Sequence, residues 1–472
     1  MKKLLQVILF LATAALAQAW QQVNEGAPEP PREFRAVWVS TVFNLDWPSR
    51  AGLSAAQQQQ ELLTILNKAV NLKLNAVILQ IRPNADALYK SSLEPWSAWL
   101  NGPGVNPGYD PLAFAIREAH KRGLELHAWF NPFRATISGK PVGRNHISRR
   151  QPSLLRKAGS TTILNPSSSA AQQHVLRVII DVVRRYDIDG VHLDDYFYPY
   201  PPNNNIADNK TPSQRRAAID HFVKNLYSSV KAVKPWVRVG ISPFGIWQPG
   251  YPSDVKAGVN AYEHLACDAR KWLAKGWVDY LAPQLYWPIQ GDQSFTSLMQ
   301  WWSAINPHRP VWPGIATARI RGKEDGRRAS EIGYQVDYSR KLARQSAGQL
   351  FWSWRSIGNN IDNIQSHLAR RYTTYAVPPA MPWCGNSRPA RPTAQARETS
   401  SAISLTWTPP DAAARKWVIQ AARGNSWRTI CILPGAQRKV TLPAALLAGA
   451  TRIAILPISA YGNSGNPAVL AK

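Results

Sequence analysis

The sequence predicts an α/β protein, a (β/α)8 TIM barrel followed by a small all-β immunoglobulin-like sandwich. Three observations carry this. From residue 34 to about residue 357, short apolar runs alternate eight times with amphipathic stretches, the pattern of strand–helix units around a parallel sheet. The stretch after the first apolar run, STVFNLD at 40–46, contains no glycine, whereas the competing doubly wound sheet wants a glycine-rich phosphate turn there. Past residue 392 the helical periodicity stops, and short β-like runs divided by turn residues fill 393–472, as in a small sandwich.

Strand one is read at 34–40. Ser54 then caps a helix reaching about residue 72, with Leu62, Ile65, Leu66 and Ala69 on its apolar side. Strand two is 75–81. Asp110 and Pro111 open the next helix, with proline at the first helical position, where its missing N–H is not needed. Strand three is 125–130, a helix spans 168–186, and strand four is 190–193. Helix 211–233 leads to strand five at 238–242, and helix 261–275 to strand six at 278–282. Helix 295–305 precedes strand seven at 311–316, and helix 330–346 precedes strand eight at 349–353. A helix at 361–372 closes the barrel. The predicted domains are a barrel at 33–375, a Pro-rich linker at 376–392 and a sandwich at 393–472.

Residues 1–19 read as a cleavable secretion signal. Lys2 and Lys3 precede an apolar run at 4–16, too short to span a bilayer, and Ala17-Gln18-Ala19 fits the small-x-small cleavage pattern. The first cysteine is Cys267, so there is no lipobox cysteine, and no later segment is apolar and long enough for a transmembrane helix. The expected location is the periplasm or beyond. Three cysteines are too few for a disulfide scaffold, and pairing of Cys384 with Cys431 stays open. There is no CxxC or HxxxH, so no metal and no cofactor is expected. The formal charge is +27, and +25 without Lys2 and Lys3. The basic residues are spread out, with no nucleic-acid motif, so anionic wall polymers or lipid headgroups are better partners than nucleic acid. A generally basic solvated surface explains the charge equally well.

The most informative segment is Gly190-Val191-His192-Leu193-Asp194-Asp195-Tyr196-Phe197-Tyr198-Pro199. Adjacent carboxylates repel, so one of them tends to keep its proton near neutral pH, and an acid beside an ionised partner can perform acid–base chemistry. Alone, the pair reads first as a capped strand end and only second as a catalytic pair. At the end of strand four it lies on the face where such barrels carry their active sites. Other polar residues gather at strand ends: Asp46 after strand one; Arg82, Asn84 and Asp86 after two; Asn131 and Arg134 after three; Gln284 and Tyr286 after six; Ser353 and Arg355 after eight. Trp129, Trp287, Trp312, Trp352 and Trp354, among 20 tryptophans, also sit at strand ends. Together they predict a cleft for the flat faces of a polysaccharide. His127 and His192 lie inside apolar strands and read as packed residues.

Several segments together resemble the bacterial glycosyl hydrolase-like family ten, exported (β/α)8 proteins, over roughly residues 33–375. They are FRAVWVSTV at 34–42, QIRP at 80–83, HAWFNPF at 127–133, GVHLDDYFYP at 190–199, GISPFGIW at 240–247 and DYLAPQLYW at 279–287. The resemblance implies a glycosidase of the cell wall, acting on peptidoglycan glycan strands that lack stem peptides. SLTWTPP at 404–410 and ISAYGNSGN at 458–466 resemble fibronectin type III domains.

Retaining glycosidases hold two carboxyl groups ~5–5.5 Å apart and inverting ones ~6.5–9.5 Å apart. Strand seven, VWPGIATAR at 311–319, supplies no carboxylate, which disfavours a pair split between strands four and seven. A substrate-assisted route fits better: the sugar's 2-acetamido oxygen attacks the anomeric carbon. Asp194 is assigned to hold the acetamido N–H and Asp195 to act as acid, then base, with the two roles open to exchange. Substrate binding is assigned to Arg82, Asp86, Trp129, Asn131, Tyr196, Gln284, Tyr286, Trp287 and Trp352. The alternatives are a covalent Asp nucleophile with an acid from Asp46, Asp86 or Glu94, and a non-catalytic wall-binding protein.

Overall fold

A computed structural model describes residues 20–305, 308–343 and 347–472 of the chain. The signal read at 1–19 and the end of the helix read at 330–346 lie outside the described residues. Strands one to four are Glu33–Val39, Ala76–Arg82, Glu125–Phe130 and Gly190–Leu193. Strands five to eight are Arg238–Ile241, Tyr280–Leu281, Gly314–Ala316 and Ala347–Trp352. They form one eight-stranded sheet in the order six, five, four, three, two, one, eight, seven. Parallel bridges from Leu281 to Val311 and from Gln284 to Gly314 join six to seven and close the barrel.

Strands covered on both faces read as unbroken apolar runs. All seven residues of strand one are buried. Phe34, Ala36 and Trp38 fill the barrel interior with Tyr280 and Trp312, while Val37 and Val39 face the core under the helices. Helix Ala55–Asn71 starts at a capping box made by Ser54 and Gln57, and Pro111–His120 starts on an Asp110 cap.

Two helices read as continuous are broken. The stretch at 261–275 forms Ala261–His264 and Ala269–Ala274, parted where Ala266 takes φ +53°. The stretch at 361–372 forms a 3-10 turn, Ile361–Asn363, then Ile364–Ala369. Asp362 and Asn363, types that tolerate the left-handed region, take positive φ there. The loop after strand three holds a small antiparallel sheet, Arg134–Thr136, Leu155–Ala158 and Thr161–Leu164, which the sequence reading did not contain.

The C-terminal all-β domain has a three-stranded and a five-stranded sheet. Its outer strand comes from the other end of the chain: Gln21–Val23 pairs antiparallel with Ala468–Ala471. Trp20 is buried in its core, and Trp20 Nε1 donates to Glu398 Oε2 at 2.8 Å. The Pro-rich segment packs along both domains. Val377 exchanges backbone hydrogen bonds with Pro31 and Glu33, at 2.9 and 3.1 Å, and Met381 N–H donates to Tyr461 O at 2.8 Å. Cys267, Cys384 and Cys431 are free thiols. No helix among the described residues is long and apolar enough to cross a membrane.

The two domains meet at the N-terminal end of the barrel strands. Lys416 Nζ lies 3.0 Å from Glu125 Oε1, and Arg415 reaches Asp187 at 2.8 Å and Asp189 at 3.0 Å. Glu125 starts strand three, and Asp189 immediately precedes strand four. The C-terminal domain therefore sits at the end opposite to Asp194 and Asp195.

Candidate active site

Strand four ends at Leu193, and the chain bends immediately, so Asp194 and Asp195 escape the strand alternation that would otherwise turn them to opposite faces. Both are buried, at 6% and 2% exposure. Asp194 is pinned from strand three and its loop: Asn131 Nδ2 donates to Oδ2, as does Trp129 Nε1 at 3.3 Å. The Tyr196 N–H donates to Oδ1 at 3.3 Å. Asp195 accepts from the Tyr200 hydroxyl and is near the Gln284 amide. Burial pushes Asp194 up to about 7; Arg134 opposes this and the neighbouring Asp195 adds to it. Burial also raises Asp195, against the donors on it. The pair therefore keeps a proton close to neutral pH.

Tyr286 lies near both aspartates. Burial first, then their charges, hold its phenol well above the usual range, so it stays a donor. Gln284 is fixed by its own amide, with Nε2 donating to Ser242 O at 3.1 Å. Tyr196, 41% exposed, sits edge-to-face on Tyr200 at 5.6 Å, Tyr200 on Phe244 at 6.0 Å, and Phe244 on Trp287 at 5.6 Å. On the other side Trp352 meets Trp129 edge-to-face at 5.9 Å. The carboxyl pair is thus flanked by aromatic faces and edges.

Seven of the nine residues read as substrate-binding come together here: Trp129, Asn131, Tyr196, Gln284, Tyr286, Trp287 and Trp352. The other two are corrected to scaffold positions. Arg82 is 0% exposed. Its fork grips Glu94 at 2.8 and 2.5 Å, and Nη1 donates to the carbonyls of Asn131 and Pro132 at 2.7 and 3.0 Å. Four of its five N–H groups are engaged and the whole side chain is buried away from a sugar, and the clamp fixes the loop that carries Asn131. Asp86 is buried and accepts the Asn84 and Ala98 N–H groups at 3.0 and 3.3 Å, holding the strand-two loop.

The alternative acids fare differently. Burial would raise Glu94, but Arg82 and His174 outweigh it and hold it at about 2, so it has no proton to give. Asp46, raised by burial to about 6, accepts from Ser40 N–H, Arg355 N–H and the Ser353 hydroxyl, tying strand one to strand eight. Asp325, in the loop beyond strand seven, is held below its usual range: burial is outweighed by Arg327.

The sequence reading missed several supports. Gln80, buried on strand two, accepts the Thr41 and Val42 N–H groups at 2.9 Å each. It donates at 2.5 Å to Asn131 Oδ1, which leaves the Asn131 N–H2 aimed at Asp194. Phe43, 61% exposed with φ +59°, stands on Trp99 at 5.3 Å. A bulky side chain in that backbone region is strained, a condition that clusters at functional sites. Only Gln80 left a trace, as a polar residue inside an apolar strand.

Below the pair, the barrel axis holds a hydrogen-bonded chain. Trp38 Nε1 donates to His192 Nε2 at 3.1 Å, so the neutral ring carries its proton on Nδ1 and donates to the Tyr280 hydroxyl at 3.0 Å. Tyr280 then donates to His127 Nδ1 at 3.1 Å, and His127 Nε2 to Glu125 at 3.2 Å. Burial lowers His192 well below its usual range, which keeps it neutral. Both histidines are packed strand residues. Among the described residues no cluster of His, Cys, Asp and Glu could hold a metal ion.

A closed parallel barrel with a buried carboxyl pair and an aromatic rim at its C-terminal end defines the class: a (β/α)8 protein of the glycoside hydrolase type. The chain belongs to the glycosyl hydrolase-like family ten, whose profile matches residues 33–325. It is 38% identical over 392 residues to glycosyl hydrolase YngK of Bacillus subtilis, covering 76% of each chain. It is 33% identical over 323 residues to glycosyl hydrolase DigH of Escherichia coli, covering 61% of this chain and 73% of that one. Among solved structures, the glycoside hydrolase domain of PgaB (BpsB) from Bordetella bronchiseptica aligns with a TM-score of 0.47 at 14% identity, covering 72% of this chain and 99% of that one.

Proposed function

We propose that this glycoside hydrolase is exported and cuts the glycan strands of peptidoglycan, with preference for strands that lack stem peptides. The observation that carries the reading is the buried Asp194–Asp195 pair with, among the described residues, no second, unpaired carboxylate facing it from the strand-seven side. Such a site needs its nucleophile from the substrate, and peptidoglycan sugars bring one in the 2-acetamido group. Asp194, fixed by three N–H donors, accepts the acetamido N–H. That hydrogen bond favours ionised Asp194 and leaves the shared proton to Asp195. Asp195 gives this proton to the leaving oxygen as the acetamido oxygen attacks the anomeric carbon. It then takes a proton from the water that opens the cyclic intermediate. Tyr286 donates to the acetamido oxygen, and Trp287, Trp352 and Tyr196 stack on neighbouring rings. The C-terminal domain, on the opposite face, does not line this cleft.

Mass spectrometry of products from intact and from amidase-stripped peptidoglycan tests the reading. Soluble saccharide fragments should come from stripped strands, and few from intact ones. Retention of the protein on both materials with no release would favour the wall-binding alternative instead.

A further inference from the structure

Arg134 is a cation close enough to the carboxyl pair for its charge to act on both aspartates. It lies three residues beyond Asn131 and begins the small antiparallel sheet of the strand-three loop. It is half-buried, its guanidinium 4.5 Å from the centre of the Tyr196 ring. Its charge is felt at both aspartates, yet it forms no salt bridge with any carboxylate among the described residues. Three other arginines near the cleft are held by carboxylates: Arg82 by Glu94, Arg327 by Asp325, Arg319 by Glu324. Arg134 borders a cavity of about 240 Å³ whose remaining walls are Phe43, Ile137, Thr161, Ile163 and the aromatic run 196–199. A guanidinium held over Tyr196 but by no carboxylate, in a largely apolar recess, suits a small anion with an apolar stem, because the low-polarity walls strengthen the charge pair.

We propose that this recess is a carboxylate subsite, in which Arg134 binds the free lactyl carboxylate of a muramic acid residue. The inference rests on the peptidoglycan reading above. In muramic acid the lactyl ether and the acetamido group stand on neighbouring ring carbons, so the group that reads the first must lie beside the group that reads the second. Arg134 meets that condition: Tyr196, under its guanidinium, donates its N–H to Asp194. A stem peptide converts the same carboxylate to an amide, which removes the charge and fills the recess. The subsite is therefore a physical cause for selecting stripped strands, by an attraction lost and a volume exceeded.

The test compares stripped glycan strands carrying free lactyl carboxylates with the same strands after conversion to methylamides. For the unsubstituted protein KM should rise tenfold or more on amidation, with kcat nearly constant. Arg134→Gln should show the raised KM on both substrates, and Arg134→Lys should recover part of the difference. Binding of a muramic-acid tetrasaccharide and its methylamide, followed by tryptophan fluorescence, reads the subsite without turnover. Equal discrimination by the unsubstituted protein and Arg134→Gln would overturn the subsite. So would an equal loss of kcat on both substrates, since Arg134 would then serve only to balance the aspartates. If the unsubstituted protein binds with the expected discrimination but releases no product, the hydrolase reading fails and the subsite stands.

Discussion

At the scale of single residues, the site works against the stability of the fold. Asp194 is buried and pushed up to about 7, against an ordinary value near 4 for a free aspartate. A carboxyl raised in the folded state favours folding while it is protonated, below its unfolded value. That contribution is lost as pH climbs through the folded value. Asp194→Asn keeps the shape and an oxygen for the Asn131 and Trp129 donors while removing the charge. It should therefore raise Tm at pH 8 and change it little at pH 4.5, checked by thermal melts across that range. Both carboxyls and Asn131 could be found in the sequence because they follow strand ends. Arg82 could not be resolved the same way. Its partner Glu94 stands twelve residues on, and burial in a bidentate pair turns a strand-end arginine from a sugar ligand into a clamp. Arg134 carries the same sequence signal as Arg82, and only its lack of a carboxylate partner separates their roles.

At the scale of elements, the eight strands were legible because a barrel strand is buried on both faces and its apolar run is dense and short. Capped helices were legible too, as with Ser54 and Asp110. The breaks were not. Ala266 at φ +53° gives no compositional warning, and helical periodicity runs through it. The antiparallel sheet after strand three was invisible because Arg134–Thr136 and Thr161–Leu164 are three and four residues long and are separated by 24 intervening positions. That sheet fixes Arg134, so the least legible element holds the residue on which the specificity argument turns. The Asp–Asn–Gln chain from strand four through strand three to strand two shows the reverse case: each residue is on a predicted strand or its end, and only their mutual contact was hidden.

At the scale of the whole molecule, the C-terminal domain acts as the floor of the barrel. Lys416 is 8% exposed and pairs with Glu125, which also receives His127 and lies 3.6 Å from Arg238. Burial would raise Glu125, but Lys416 and Arg238 outweigh it and hold it at about 2. Removing one partner of a buried pair strands the other, at a cost of about 3–5 kcal/mol. Lys416→Met should lower Tm strongly at pH 7. The Glu125 contribution is present above its unfolded value near 4.3 and is lost as pH falls toward 2, so the deficit should shrink in acid. A loosely tethered domain would show no such loss. Because the axial chain from Trp38 to Glu125 ends on this pair, the domain supports the barrel from the end opposite to Asp194 and Asp195.

The central claim is that Asp194 and Asp195 divide the chemistry between them. Its most direct measurement is turnover by Asp194→Asn and Asp195→Asn on stripped glycan strands and on an N-acetylhexosaminide with an activated phenol leaving group. Asp195→Asn should lose orders of magnitude on the strands yet keep much of its rate on the activated substrate, which needs no acid. Asp194→Asn should lose rate on both, because the acetamido group is no longer held for attack. Near-normal turnover of the strands by both folded variants would contradict the account.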